Sequence, residues 1–228
     1  MMCTVLSAEK KRTGTESQIL RCGEFTGMNK YEQRSKISYD KKAKNYDSTF
    51  DGKFTVKFKE LMIKSVSINP NDIVADIACG NGSLLHKLTE KNSFYGYGVD
   101  ISEKMIEQAK ILNPNMKFFV SGCDELPFDR GEIGVMTVCA AFHHFPDIHM
   151  FAKEAGRVIK KEGMLYIAEV HLPTFLRVIC NPFVKFSRAG DVKFYSPKEI
   201  VSLFENNDFV IKDIEIDGRV QILKFQKK

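Results

Sequence analysis

The chain has 228 residues, with 28% charged and 43% hydrophobic side chains and a formal net charge of +5, enough for one domain with a full core. The positive charge is spread along the chain, a mild bias towards anionic ligands and not by itself a nucleic-acid footprint. The six cysteines form no Cys-x-x-Cys pair, which argues against a zinc ribbon; no run of about 18 apolar residues exists to span a bilayer, and the start lacks the apolar centre of a signal peptide.

Residues 1–29 read as a flexible polar tail with Gly14, Gly23 and Gly27, and Met28 offers an alternative start. Residues 30–68 predict two amphipathic helices. Ile37, Tyr39, Ala43 and Tyr46 share a face of the first, and Phe54, Phe58, Leu61, Met62 and Val66 a face of the second. Asn69-Pro70-Asn71-Asp72 is a turn.

Ile73, Val74 and Ile77 then predict a short buried strand. It ends in the small-residue turn Ala78-Cys79-Gly80-Asn81-Gly82, after which Leu84, Leu85 and Leu88 recur at helical spacing. A strand, a glycine turn and a helix make a corner where ligands meet backbone N–H groups and the positive end of a helix. Asp100, twenty residues after Gly80 at the end of the next apolar run, is placed to accept hydrogen bonds from both hydroxyls of a ribose. A dinucleotide fingerprint needs a third small residue where Leu85 stands. Asp76 would repel a pyrophosphate and suits a ligand carrying an amine.

Further strands are predicted at 94–99, 116–121, 133–140, 164–170, 209–216 and 220–225. Ser102 opens an intervening helix and Ser196-Pro197-Lys198-Glu199 a later one. Asp217-Gly218 is a hairpin signal that makes the last strand antiparallel. The alternation predicts an α/β fold, a Rossmann-like seven-stranded, mostly parallel sheet with helices on both faces and a C-terminal antiparallel hairpin. After the fourth strand, Ala140-Ala141-Phe142-His143-His144-Phe145 sets two histidines between aromatics. One of them could take a proton from a nucleophile or orient it. Cys139 just before them reads as a buried thiol.

The stretch Val74-Ala75-Asp76-Ile77-Ala78-Cys79-Gly80-Asn81-Gly82 resembles motif I of the class I S-adenosylmethionine-dependent methyltransferases. It is most similar to the branch holding the ubiquinone and menaquinone biosynthesis methyltransferases, in which alanine often replaces the first glycine. Residues 39–47 are similar to the N-terminal motif of small-molecule members, and Leu126-Pro127-Phe128 and Glu154-x-x-Arg157 match further positions. The resemblance spans roughly residues 36–170. It implies S-adenosylmethionine as cofactor, S-adenosylhomocysteine as product and a small acceptor, apolar or aromatic.

On that reading Tyr46, Asp76, Ala78, Cys79, Gly80, Gly82, Asp100, Ile101, Cys123, Asp124 and Ala140 hold the cofactor, and His143 and His144 stand at the methyl-transfer centre. The family's acid near the adenine amine falls on Gly122, so either the Cys123 backbone or Asp124 replaces it. Residues 30–68 become a cofactor cap. Residues 172–195 become a substrate lid, with Phe175, Phe183 and Phe186 towards an apolar substrate and Arg177, Lys185 and Arg188 towards an acid on it. The same lid composition suits a homodimer contact or a lipid surface. No metal is implied, a nucleic-acid acceptor is disfavoured by the missing nucleophilic-cysteine and Asn-Pro-Pro-Tyr motifs, and the scattered cysteines suit a cytoplasmic monomer or homodimer. A nicotinamide oxidoreductase, an RNA methyltransferase and a non-catalytic cofactor-binding module are the competing readings.

Overall fold

The computed structural model describes residues 28–184 and 186–228. The expected tail up to residue 27 and Lys185 lie outside them. Seven strands form one sheet in the order β3-β2-β1-β4-β5-β7-β6: β1 Ile73–Ile77, β2 Tyr95–Asp100, β3 Lys117–Val120, β4 Ile133–Cys139, β5 Ile159–Val170, β6 Phe209–Asp217 and β7 Val220–Lys227. The first five pair in parallel and β7 runs antiparallel to both β5 and β6, the architecture expected from the sequence.

Strands buried on both faces carry unbroken apolar runs, and β4 is one, buried from Ile133 to Val138. The helices α3 Val56–Ser65, α4 Ser83–Thr89 and α5 Glu103–Leu112 pack on one face, where Phe58, Leu61, Met62, Leu84, Leu85, Leu88 and Ile106 share a core with Val74 and Val135. On the other face α6 Ile148–Val158 and α8 Pro197–Glu205 bury Phe151, Ala155, Ile200 and Phe204 against Ile77, Met136 and Leu165. The helix after β1 therefore goes to one face and the helix after β4, its sheet neighbour, to the other. Their divergence opens a crevice at the carboxyl ends of these strands, where open α/β sheets bind ligands.

Four details depart from the sequence reading. The two cap helices are four pieces: α1 Lys30–Lys42, a 3₁₀ segment Ala43–Ser48, α2 Phe50–Phe54 and α3. Ile37 is 51% exposed, because α1 docks through polar contacts instead of an apolar stripe. Lys36 lies 3.4 Å from both Asp40 and Glu103, and Asp40 accepts from the Ser102 hydroxyl at 2.6 Å and the Lys104 N–H. The strand expected at 164–170 begins five residues earlier, at Ile159, and Glu162 at φ 63° takes up an irregularity in the β4–β5 register. The hairpin places Gly218 and Arg219, not Asp217, between the paired ends Asp217 and Val220.

The stretch expected as a lid holds helix α7 Thr174–Val184, with coil over the described residues from 187 to 196. Phe175, Phe183 and Phe186 are 65%, 69% and 72% exposed, so they face outward and do not line an acceptor site. Arg177 turns to the Leu172 carbonyl at 3.2 Å and Glu199 at 4.0 Å. Among the described residues, no helix is long and apolar enough to cross a membrane.

Candidate active site

The crevice is a cleft of about 750 Å³. Ala78 and Gly80 after β1, Asp100 and Ile101 at the end of β2, Gly122 and Cys123 after β3, and Ala140 and His144 after β4 line it. The cap contributes Glu32, Ser35, Tyr39 and Tyr46. Of the residues singled out in the sequence, Tyr46, Ala78, Gly80, Asp100, Ile101, Cys123, Ala140 and His144 thus come together on one wall.

Asp76, Cys79, Gly82, Asp124 and His143 do not line it. Asp76 is fully buried below the wall and accepts from the Thr137 hydroxyl at 2.7 Å. Cys79 is buried with its thiol against the Gly80 carbonyl. Gly82 is the left-handed cap of α4, packed where a Cβ would stand 2.8 Å from Asn113 Nδ2. Asp124 is exposed. Cys139 lines the cleft, and burial raises its thiol far above the usual range, so it is no thiolate nucleophile.

The turn after β1 is held open to the cleft by positive φ at Ala78 (57°) and Gly80 (53°). A Cβ at Gly80 would meet nothing within 4 Å, so its backbone fronts empty space that a ligand can fill. Asp100 is tied on both oxygens. Oδ2 accepts from the Gly80 N–H and Oδ1 from the Ser102 N–H, each at 2.8 Å. Burial pushes its pKa up to about 6 against the pull of those N–H groups. Burial likewise raises Asp76 to about 7. Each oxygen of Asp100 keeps a lone pair for a further donor, the acceptor set a ribose diol needs. Asn81 Nδ2 donates to Asp47 at 3.0 Å, tying this turn to the cap.

The two histidines take different roles. His143 Nδ1 lies 2.7 Å from Glu169 Oε1, and the His143 N–H donates to Oε2 at 3.2 Å. Glu169 is wholly buried. Burial lowers the His143 pKa, but the Glu169 charge outweighs it and the net shift is upward. His144 reaches the cleft, its Nε2 3.0 Å from the Tyr39 hydroxyl. Burial first, then the neighbouring His143, lower its pKa and favour the neutral ring. Burial puts the Tyr39 phenol well above its usual range.

A second cavity of about 730 Å³ adjoins the cleft. It shares Tyr39, Ala140 and His144 with it and adds Phe50, Phe54, Val170 and Phe194 as apolar wall and Asp51, His143 and Asp191 as polar wall. Glu32 and Asp191 carried no sequence signal, and Tyr39 only that of the N-terminal motif at residues 39–47. They belong to no glycine turn and to no strand end, and only the docking of α1 and the coil after α7 brings them here.

Residues 75–167 match a family described as a methyltransferase domain. The ubiquinone/menaquinone biosynthesis C-methyltransferase UbiE of Rickettsia bellii (strain RML369-C) is 32% identical over 180 residues, 70% of this chain and 67% of that protein. The chain belongs to the class I S-adenosylmethionine-dependent methyltransferases. Solved structures agree at the level of fold. Geranyl diphosphate C-methyltransferase from Streptomyces coelicolor A3(2) superposes with a TM-score of 0.68 at 11% identity, covering 88% of this chain and 99% of that one. The YcgJ protein of Bacillus subtilis gives 0.66 at 18% identity, covering 75% and 98%. The chain is thus an S-adenosylmethionine-dependent methyltransferase, and the open backbone at Gly80 and the acceptor pair on Asp100 fit that cofactor.

Proposed function

We propose that this methyltransferase acts on a small apolar or aromatic acceptor bound in the second cavity, with the cofactor in the cleft. The observation that carries this reading is the junction of the two cavities at Tyr39, Ala140 and His144. A methyl group handed from one ligand to the other crosses there.

The cofactor, when bound, supplies an electrophilic methyl on a sulfonium. The chain's work is to bind both partners in line and keep water out. Asp100 holds the ribose and Ile101 walls the adenine. The Cys123 backbone and Glu32 meet the adenine amine. Glu32 lies close to the vacated family position, its Oε1 3.5 Å from where a Cβ on Gly122 would stand. Its other oxygen is engaged in the cap of α1, accepting from the Asn29 N–H at 2.9 Å. Asp76 acts from beneath, through its negative field on the ligand's amine. Tyr46 and Ala140 enclose the methionine portion. His144 is a positioning residue. It fixes the Tyr39 hydroxyl, a neutral donor, at the junction where an acceptor's polar atom would sit.

The name of the Rickettsia relative sets quinone-type rings with a carbon acceptor first among candidates. The test is calorimetry with S-adenosylhomocysteine, followed by transfer of labelled methyl to a panel of apolar aromatic acceptors beside bulk RNA. Incorporation into an aromatic acceptor supports the proposal. Incorporation into RNA alone would overturn it.

A further inference from the structure

Around the two histidines, three possible ligand atoms face one another. Glu169 is buried and accepts from the His143 N–H, the Val170 N–H and the His143 ring. A carboxylate there requires the proton on His143 Nδ1, which leaves the Nε2 lone pair of the neutral ring pointing away from Glu169. That Nε2 is 3.7 Å from Asp191 Oδ1. His144 Nδ1 is 3.0 Å from the same oxygen, a close buried contact that lies off the line of a full hydrogen bond. The three atoms lie within 4.8 Å of one another.

We propose that His143, His144 and Asp191 form a site for a divalent late first-row ion such as zinc, on the wall of the second cavity. Tetrahedral zinc with bonds of about 2.0–2.1 Å spaces its ligands roughly 3.3 Å apart, so the donors stand close to that spacing. Two imidazoles and one carboxylate are a ligand set that such ions take, with a fourth position open. The supports match as well. Glu169 holds the outer nitrogen of His143, and the Tyr39 hydroxyl meets the outer nitrogen of His144. Such partners fix the tautomers of metal-bound histidines. The charges also balance, since Glu169 and Asp191 together carry two negative charges and the ion two positive ones.

The fold delivers Asp191 to this place. The His143 carbonyl accepts from the Val192 N–H at 2.8 Å, clamping the coil that carries the aspartate. Asn181 pins the same coil to α7 through both backbone groups of Phe194. All three residues line the cavity of Tyr39, Asp51 and Phe194. If the acceptor binds in that cavity, as proposed above, the ion would select acceptors bearing a hydroxyl or carbonyl oxygen.

The test uses the full 228-residue protein, stripped with chelator and titrated with cobalt(II) and zinc(II). The expected result is one tightly bound ion per chain, a visible cobalt band of tetrahedral intensity, and displacement of cobalt by zinc. Asp191→Asn and His144→Ala each remove a ligand and should weaken binding by more than about a hundredfold, beyond the loss of an outer partner, and His149→Ala, an exposed histidine on α6, should leave it unchanged. Circular dichroism checks that each variant folds, and Tyr39→Phe, which keeps all three ligands and removes only an outer partner, should still bind, with a loss of about tenfold to a hundredfold. Absence of a stoichiometric band, or binding that survives both ligand substitutions, would overturn the proposal. Methyl transfer is not part of the readout, so failure here is distinct from failure of the acceptor assignment.

Discussion

Asp100→Ala isolates the residue on which the cofactor geometry turns. The carboxylate is 9% exposed and spends one lone pair of each oxygen on the N–H groups of Gly80 and Ser102. The remaining acceptors face the cleft. Hydrogen bonds to a charged group contribute about 1.5–3 kcal/mol each, so losing two ribose contacts costs about 3–6 kcal/mol. At 1.4 kcal/mol per decade, that is a fall in affinity of roughly a hundredfold to ten-thousandfold. Titration calorimetry with S-adenosylhomocysteine measures it directly, beside a thermal melt of the ligand-free variant. The melt matters because the substitution also strands two N–H groups, which water entering the cleft can only partly satisfy. Asp100→Asn keeps one acceptor and should fall between wild type and alanine. A folded Asp100→Ala protein that loses less than about threefold in affinity, under 1 kcal/mol, would refute the placement of the ribose and with it the register of the site.

Gly80→Ala and Gly82→Ala should separate binding from folding. The first places a methyl into open cleft space and should weaken the cofactor with about 1 kcal/mol of left-handed strain, whereas the second drives a Cβ to 3.0 Å from Ala109 and 2.8 Å from Asn113 and should lower stability by a further 1–3 kcal/mol or so. Denaturant melts beside ligand titrations distinguish them, and equal stability losses would contradict the packing described. Glu32→Ala should cost about tenfold in S-adenosylhomocysteine affinity and leave the affinity for an inosine analogue unchanged; equal losses for both ligands would remove Glu32 from the adenine. The pH profile follows from Asp76 and Asp100, whose carboxyls are raised by burial to about 7 and about 6. The folded state holds these protons more tightly than the unfolded chain, where an aspartate titrates near 3.9. The stabilisation is therefore complete below about pH 4 and lost as pH rises through about 6 to 7. Asp76→Asn, which keeps an oxygen for the Thr137 hydroxyl, should flatten that slope and stabilise the ligand-free protein at pH 8 by on the order of 3 kcal/mol. A variant melting temperature that falls in step with wild type between pH 5 and 8 would show the reasoning to be wrong.

The parts of the site legible in the sequence are those made by local pattern. The apolar run of β1, its glycine turn and the leucines of α4 report their own conformation, and Asp100 sits at a fixed distance along the next strand. Hence Gly80, Asp100, Ile101 and Ala140 come together as expected. Where side chains act across the fold, the pattern is silent. The motif resemblance at residues 39–47 implies a cap, but no local pattern near Glu32 says how α1 lies over the strand ends, because α1 docks by Lys36 and Asp40 and not by an apolar stripe. Asp191 is 47 or more residues from its histidines in a coil without periodicity. The phenylalanines of residues 172–195 left three readings open for the opposite reason. Composition told of apolar surface, but only the direction of α7 shows that Phe175 and Phe183 turn outward. Asp76 carried a real signal, an acid at a strand end, but the pleat puts its side chain beneath the wall.

The outer part of the cap, ahead of α3, rests on α5 through a core of its own. Tyr39, Ala43 and Tyr46 pack on Met105 as a cluster separate from the two that sandwich the sheet. A small cluster opens at a lower free energy than the main core, so amide exchange in residues 30–54 should outpace that of β1 and β4. Ligand traffic inherits this hierarchy. The lifetime of a bound molecule under Tyr39 and Tyr46 is set by how often these few contacts part, while the strands that define its seat stay closed. Affinity and residence time are then separately adjustable. Changes around Met105 would alter how fast product leaves, and changes at the strand ends how tightly it was held.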